Sequence, residues 1–290
     1  MANRGNIFKR LYTTPPDAVV RAVQRRLLPR PLSATEAFEV LSKRPQAPYD
    51  FLSRYEAILA RAIGWTPLAF EDRVVLEFGC GPHLGFGPLA VFRGARFVAV
   101  DPAIDPQVLR SPVMQKRYFR PMFSDLSAIF GDRGSFEDFM QNLRTGITMV
   151  RGTLLEADTA TKANIILSNS ALEHIDPLDQ CLRRLRDLAA DDARCLHLVD
   201  FGNHRGTADP FEGIYEQPRQ DYLAKHGRHI NLVRPNELLA LFGAAGFDAE
   251  LVPYYRADEV AQPPAHPHWQ AKMASENLFL KAGLIAGTAR

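Results

Sequence analysis

Five short runs of apolar residues recur along the chain, most of them separated by segments long enough to hold a helix. This repetition restricts the fold more than any other feature. The runs are VVLEF (74–78), FVAVD (97–101), ITMVRG (147–152), NIILS (164–168) and CLHLVDF (195–201). A strand that is apolar at consecutive positions, not only at alternate ones, loses water from both faces. Strands of this kind alternating with helices predict an α/β fold, a mostly parallel sheet with helices on both faces.

The segments between them carry helical periodicity. In DFLSRYEAILARAIGW (50–65), Leu52, Tyr55, Ile58, Leu59 and Ile63 share one face. In PLDQCLRRLRDLAA (177–190), Leu178, Cys181, Leu182, Leu185 and Leu188 do the same. Asp176 is the expected N-cap of that helix, with Pro177 at its first position. RPNELLALFGAAGFDAELVP (234–253) reads as a helix, a stop at Gly246 and a strand. SENLFLKAG (275–283) is the expected strand that closes the sheet edge, for seven in all.

Two connections exceed what such a sheet needs, residues 102–146 and 202–234. Long connections in compact α/β domains are usually lids or binding loops, and ligands sit outside the carboxyl ends of the strands. The expected organisation is an N-terminal helical extension or cap over 1–65, then a main domain over 66–290 with substrate-covering insertions at about 102–146 and 202–234.

A net charge of +2 argues against a dedicated nucleic-acid binder. The charge is uneven: Arg4, Lys9, Arg10, Arg21, Arg25, Arg26 and Arg30 face only Asp17 in residues 1–30, giving +6 there and −4 elsewhere. Val19, Val20, Val23, Leu27 and Leu28 recur between those arginines at helical spacing. A helix so built fits weak peripheral contact with an anionic membrane, and equally a surface helix packed on its own domain. Cys80, Cys181 and Cys195 show no paired spacing, and no signal-peptide core or long apolar run occurs. These features predict a cytoplasmic protein.

The most informative string is VVLEFGCGPHLGFGPLA (74–90). A strand ends near Glu77 and Phe78, then turns through Gly79, Cys80 and Gly81, where missing side chains let a ligand approach the main chain. The second strand ends in Asp101 and Pro102, with the carboxylate placed for ribose hydroxyls. A dinucleotide dehydrogenase offers similar parts, but its third fingerprint glycine is here Leu84. Its pyrophosphate also gains nothing from Glu77, whereas a ligand with an ammonium group does.

NIILSNSALEHIDPLDQCLRRL (164–185) resembles the segment after the fourth strand in class I methyltransferases that use S-adenosylmethionine (SAM). VVLEFGCGP and VAVDP resemble that family's first and second motifs. RGTLL (151–155) resembles its adenine loop, with Thr153 where an acid is more frequent. The resemblance covers about residues 70–285 and implies a Rossmann-like fold, SAM as cofactor and S-adenosylhomocysteine as product. It implies that Glu77, Phe78, Gly79, Cys80 and Gly81 hold the amino-acid part of SAM, and Asp101 and Pro102 the ribose. Thr153 and Leu154 would take the adenine edge, and Ser168, Asn169 and Ser170 would run beside the methionine chain. Glu173 and His174 follow, in roles that include capping the next turn.

HLVDFGNHR, a long insert, then HINLVRPNELLALFGAAGF resemble small-molecule methyltransferases of glycan and polysaccharide pathways. That likeness implies a saccharide or other small-molecule acceptor, with a hydroxyl of a sugar, nucleotide-sugar or glycan as the methylated group. A quinone, polyketide or amine acceptor, and a SAM-binding partner subunit without activity, are the alternatives. A sugar hydroxyl needs help to lose its proton, and histidine suits this near neutral pH. His204 comes first, four residues beyond Asp200 at the end of the fifth strand; His229 and His174 follow. Asp200 and His204 alone do not make a metal site, so none is expected. Arg219, Lys225, Arg228 and Arg234 in the second insertion are candidates for gripping a phosphate, or form a solvated basic loop.

Overall fold

The computed structural model describes residues 33–41, 47–205, 207–256, 265–273 and 278–290. The basic segment over 1–30, with its suggested membrane contact, lies outside the described residues. Among the described residues, helices α1 (Ala34–Leu41) and α2 (Ala47–Ile63) come first. Strand β1 (Val74–Phe78), α3 (Gly87–Phe92) and β2 (Arg96–Val100) follow. A short turn of helix, Pro112–Met114, and a π-wound stretch, Gln115–Phe119, lead into α4 (Arg120–Phe130). Helix α5 (Phe136–Gly146) begins at a capping box in which Ser135 and Asp138 satisfy each other's backbone N–H. The rest runs β3 (Ile147–Val150), β4 (Ala163–Asn169), α6 (Leu178–Leu188), β5 (Ala189–Asp200), α7 (Arg219–His226), α8 (Pro235–Ala244), β6 (Phe247–Arg256), α9 (Pro267–Met273) and β7 (Leu280–Ala289).

The strands form one seven-stranded sheet in the order β3-β2-β1-β4-β5-β7-β6. β1 to β5 are parallel, and β7 runs antiparallel to both of its neighbours. Side chains alternate between two cores, as the pleat requires. Val75, Phe97, Ile165 and Leu196 pack on one face with α2 to α5. Leu76, Val98, Ile166 and Cys195 pack on the other with α6 and α8. The mostly parallel, doubly covered sheet expected from the apolar runs is the one the chain forms.

Two local expectations need correction. β7 lies inside the sheet, and β6 takes the edge. Most of β7 is buried, whereas β6 exposes much of its length to solvent, as an edge strand does. Asp176 is not the cap of α6: Pro177 occupies that position without a side-chain cap, and Asp176 pairs with Arg228 at 3.6 Å.

The long connections differ in their packing. Ile104, Leu109, Met114, Phe119, Phe139 and Leu143 of the first belong to the core shared with α2 and α3. The second builds a small core of its own from Phe211, Ile214, Tyr215, Tyr222, Ile230 and Leu232, closed by the fully buried Trp269. No helix among the described residues is long and apolar enough to cross a membrane.

On β4, Ser168 is buried in the protein interior. Its Oγ lies 2.8 Å from Nδ1 of His197, which is fully buried between the rings of Phe78 and Phe242. Burial lowers the His197 pKa to about 3. The unfolded chain therefore binds one more proton than the folded one between about pH 6.5 and 3. The contribution is intact above pH 6.5 and is lost as pH falls, at about 1.4 kcal/mol per pH unit. His197→Gln should flatten the acid limb of a stability–pH curve measured by urea unfolding; an unchanged slope would remove this histidine from the acid response.

Candidate functional site

The loop after β1 is shaped by two carboxylates. Glu77 is 1% exposed, and its Oε2 accepts the Phe86 N–H at 2.7 Å. Asp101, at the end of β2, accepts the Gly81 N–H at 2.8 Å and the Ala103 N–H at 2.6 Å. Gly79 has φ +70°, and a Cβ built there would lie 2.4 Å from that of Ala171. Leu84, where a dinucleotide fingerprint has its third glycine, takes φ +66° and is fully buried. The next residue, Gly85, lets the Glu77 carboxylate lie against the main chain, 2.3 Å from where a Cβ would be.

Between the carboxyl ends of β1 to β4 lies a cavity of about 400 Å³. Phe78, Gly79, Asp101, Pro102, Thr153, Leu154 and Ser170 line it, together with Val100, Gly152, Leu155, Ala171, His174, Ile175, Asp176 and Cys181. This is the crevice where strand order reverses between β1 and β4, the usual ligand position in open α/β sheets. Thr153 donates both its N–H and its hydroxyl to Glu156, at 2.7 and 2.9 Å, which fixes the loop after β3.

Several expected site residues do not line this cavity. Glu77 points into the loop and Ser168 into the core, and Cys80 and Gly81 are not among the lining residues. Burial pushes the Cys80 thiol well up, with Glu77 and Asp101 adding to it. Asn169 is reached from the N-terminal helices, its Oδ1 accepting the Tyr55 hydroxyl at 2.8 Å. The glycine loop meets α1 as well, through His83 Nε2 and the Ala34 carbonyl at 3.0 Å.

A second cavity, of about 390 Å³, is lined by Asp200, Asn203, His204, Thr207, Pro210 and Lys281. His204 of this cavity and His174 of the first have ring centroids 4.9 Å apart. His204 Nε2 lies 3.4 Å from Asp200 and 3.9 Å from Glu173 Oε1, and its backbone has φ +53°. His174 Nδ1 bonds the His229 carbonyl at 2.5 Å; the His229 side chain itself is exposed. Asn231 straps the insertion to the same turn, its Nδ2 donating to the Leu172 and Ile175 carbonyls at 2.8 and 2.9 Å.

The two carboxyl groups here are driven apart. Burial works against ionised Asp200, but hydrogen bonds from His204, Lys281 and the Gly202 N–H outweigh it and hold the pKa down to about 2. Glu173 is pushed up to about 7 by burial, which its contacts with backbone N–H groups and His204 only partly offset. At neutral pH an ionised carboxylate at the end of β5 thus lies near one, just past the end of β4, that is about half protonated.

In the sequence, Glu173 stands beside His174 after the fourth strand, in a role that includes capping the next turn, and nothing there singles out Lys281, Asn203 or Tyr55 for the site. They come from distant parts of the chain; Glu173 and Asn203 stood inside strings that carry a family resemblance, and Lys281 and Tyr55 did not. Two of the four basic residues proposed for phosphate are occupied within the protein. Arg219 pairs with Glu237, and Arg234 is buried, donating to the Phe201 and Leu232 carbonyls.

A family model described as methyltransferase domain matches residues 43–252. Among solved structures, the chain is similar to a candidate O-methyltransferase of Nostoc punctiforme PCC 73102, at 15% identity over 88% of this chain and 59% of that one, TM-score 0.45. It is similar to an S-adenosylmethionine dependent methyltransferase of Mesorhizobium loti, at 17% identity over 86% of this chain and all of that one, TM-score 0.44. It is also similar to phosphoethanolamine N-methyltransferase 2 of Haemonchus contortus, solved in complex with SAM, at 13% identity over 89% and 60%, TM-score 0.44. The chain thus spans about three fifths of the first and third of these proteins. No curated protein matches it.

Gly79→Ala adds a left-handed alanine and a contact at 2.4 Å. Urea unfolding should show a loss of at least about 1–2 kcal/mol from the backbone alone. Adding Ala171→Gly should restore only the part owed to the clash; a single variant as stable as the wild type would contradict this loop geometry.

Proposed function

The chain belongs to the methyltransferase-domain family, with SAM as methyl donor, and from that premise we propose that it methylates a hydroxyl of a sugar, nucleotide-sugar or glycan. The observation that carries the acceptor assignment is the second cavity. Asp200, Asn203, His204, Thr207 and Lys281 offer donors and acceptors, as a hydroxyl-rich ligand needs, and Pro210 adds one apolar contact. A cytoplasmic small molecule fits better than a nucleic acid, since the chain carries a net charge of only +2.

The first cavity fits the donor. Gly79 leaves the main chain bare where a Cβ would meet Ala171, and Val100, Leu154, Leu155 and Ile175 form an apolar slot beside Thr153. Asp101 and Pro102 are assigned to the ribose, Thr153 and Leu154 to the adenine, and the Phe78–Gly81 loop with Ser170 to the amino-acid end. Glu77, Ser168 and Asn169 support that site from behind, through the loop, the core and Tyr55. When bound, the donor supplies an electrophilic methyl on a sulfonium.

The chain's own task is alignment and proton removal. The acceptor oxygen forms its bond to the methyl carbon as the electron pair of the carbon–sulfur bond returns to sulfur, and the hydroxyl proton must leave the acceptor. Proton removal is assigned to the cluster where the cavities approach each other, with His204 first, because it lines the polar cavity and touches Asp200 and Glu173. His174 follows as the ring nearest to it. His229 comes last, contributing its carbonyl to that cluster.

Asp101→Ala removes charge-assisted hydrogen bonds of about 1.5–3 kcal/mol each and frees Gly81. S-adenosylhomocysteine should bind about tenfold to a hundredfold more weakly by calorimetry; equal affinity in a folded variant would take Asp101 out of the donor site.

His204→Ala should lower methyl transfer by about 100-fold or more, with donor affinity unchanged. The assay is labelled SAM with a panel of nucleotide-sugars and glycan fragments. Transfer only to quinones, polyketides or amines would overturn the acceptor class, and transfer to none of these acceptors would favour a binding subunit.

A further inference from the structure

We propose that Glu173, His174 and His204 bind a divalent transition-metal ion that in turn holds the acceptor oxygen. The proposal rests on the reading of the polar cavity as the acceptor side and names how that site loses its proton.

The geometry comes from three pieces of chain. Glu173 and His174 leave the end of β4, and His204 leaves the end of β5. One ligand atom from each, a carboxylate oxygen and two imidazole nitrogens, lies within 4.8 Å of the others. Metal–ligand bonds of about 2.0–2.2 Å put three ligand atoms roughly 2.8–3.8 Å apart around one ion, so side-chain adjustments of about 1–2 Å close the set.

Two further observations point to a ligand. Glu173 is 5% exposed, and its Oε2 has no hydrogen-bond partner. A buried carboxyl oxygen left without a partner is costly, and a cation satisfies it. His174 is held as metal-binding histidines usually are: a carbonyl only accepts, so the bond from Nδ1 to the His229 carbonyl puts the proton on Nδ1. In the neutral ring Nε2 then carries the free lone pair. Asp200, whose charge Lys281 balances, lies 3.4 Å from His204 Nε2 and orients that ring beside the set.

Two imidazoles and a carboxylate suit Mn²⁺, Fe²⁺, Co²⁺ or Zn²⁺ better than Ca²⁺ or Mg²⁺. With three protein ligands, coordination positions remain for oxygen atoms of an acceptor. The acceptor hydroxyl binds there as a neutral oxygen ligand, and the cation's charge lowers its pKa. Its O–H bond breaks, and the proton passes to solvent water in the polar cavity. His204 then promotes proton loss as a ligand of the ion, which takes the place of the direct proton acceptance assigned to it under the proposed function. The favoured acceptor carries two adjacent oxygens, as vicinal sugar hydroxyls do, so that both coordinate.

The test is direct binding of Mn²⁺ to the full chain, followed by loss of the free-ion paramagnetic resonance signal. Wild-type protein stripped with a chelator should bind one ion with micromolar affinity. Glu173→Gln and the exposed-site variant His174→Ala should each weaken it by more than about tenfold. The second variant keeps the test valid if the buried change impairs folding. Methyl transfer should vanish on chelation and return with Mn²⁺. No binding below millimolar, or binding unchanged in both variants, would overturn the metal site. Chelator-resistant transfer lost in His204→Ala would overturn it too, while leaving the acceptor assignment standing. Tight Mn²⁺ binding with no transfer to any saccharide would support the site and count against the acceptor class alone.

Discussion

The loop between β1 and α3 passes through positive φ at Gly79, Gly81, Leu84 and Gly85, and carboxylates above and below keep it there. A left-handed leucine costs about 1–2 kcal/mol. Complete burial of the Leu84 side chain returns about 1.5–3 kcal/mol, so packing outweighs the strain. Glu77 fixes the far end of the loop at Phe86, and Asp101 ties its near end to β2. The first cavity exists because of this clamp. Gly79 lines it, and Gly79 stays bare because Ala171 leaves no room for a side chain.

The same strand ends govern the surroundings of the second cavity. The turn after β4 carries Glu173 and His174, and the insertion after β5 carries His204. Asn231 binds the insertion back to that turn through two carbonyls, and its own N–H accompanies them by donating to the Glu173 carbonyl at 2.8 Å. Arg234 adds a link to the end of β5 through Phe201. The insertion is thus a fixed wall with its own aromatic core, and its position sets the distance between the two histidines. Its basic residues serve this architecture: Arg219 and Arg234 are engaged by Glu237 and by backbone carbonyls.

Much of this was legible in the chain. Consecutive apolar positions in the five runs require burial on both faces, and that requirement alone implies the covered parallel sheet. That Gly79, Asp101, Thr153 and Leu154 gather around one cavity was readable because strand ends and glycine turns are local features. Ser168 and Glu77 were misplaced relative to the cavity because a motif gives residue order but not the face of the pleat. The order of β6 and β7 was hidden because strand pairing depends on contacts distant in sequence.

By itself, then, the sequence determined the strands, their two-sided burial, the turn after β1 and the family to which these belong. These follow from side-chain hydrophobicity and backbone freedom at adjacent positions. The tertiary structure alone decided that Glu173, His174, Asp200, His204 and Lys281 meet. Those residues span more than a hundred positions, and only the parallel order of β4 and β5, with β7 returning beside them, brings their charges into one place. Desolvation and hydrogen bonding then set the charge each group holds, and neither exists until the chain has folded.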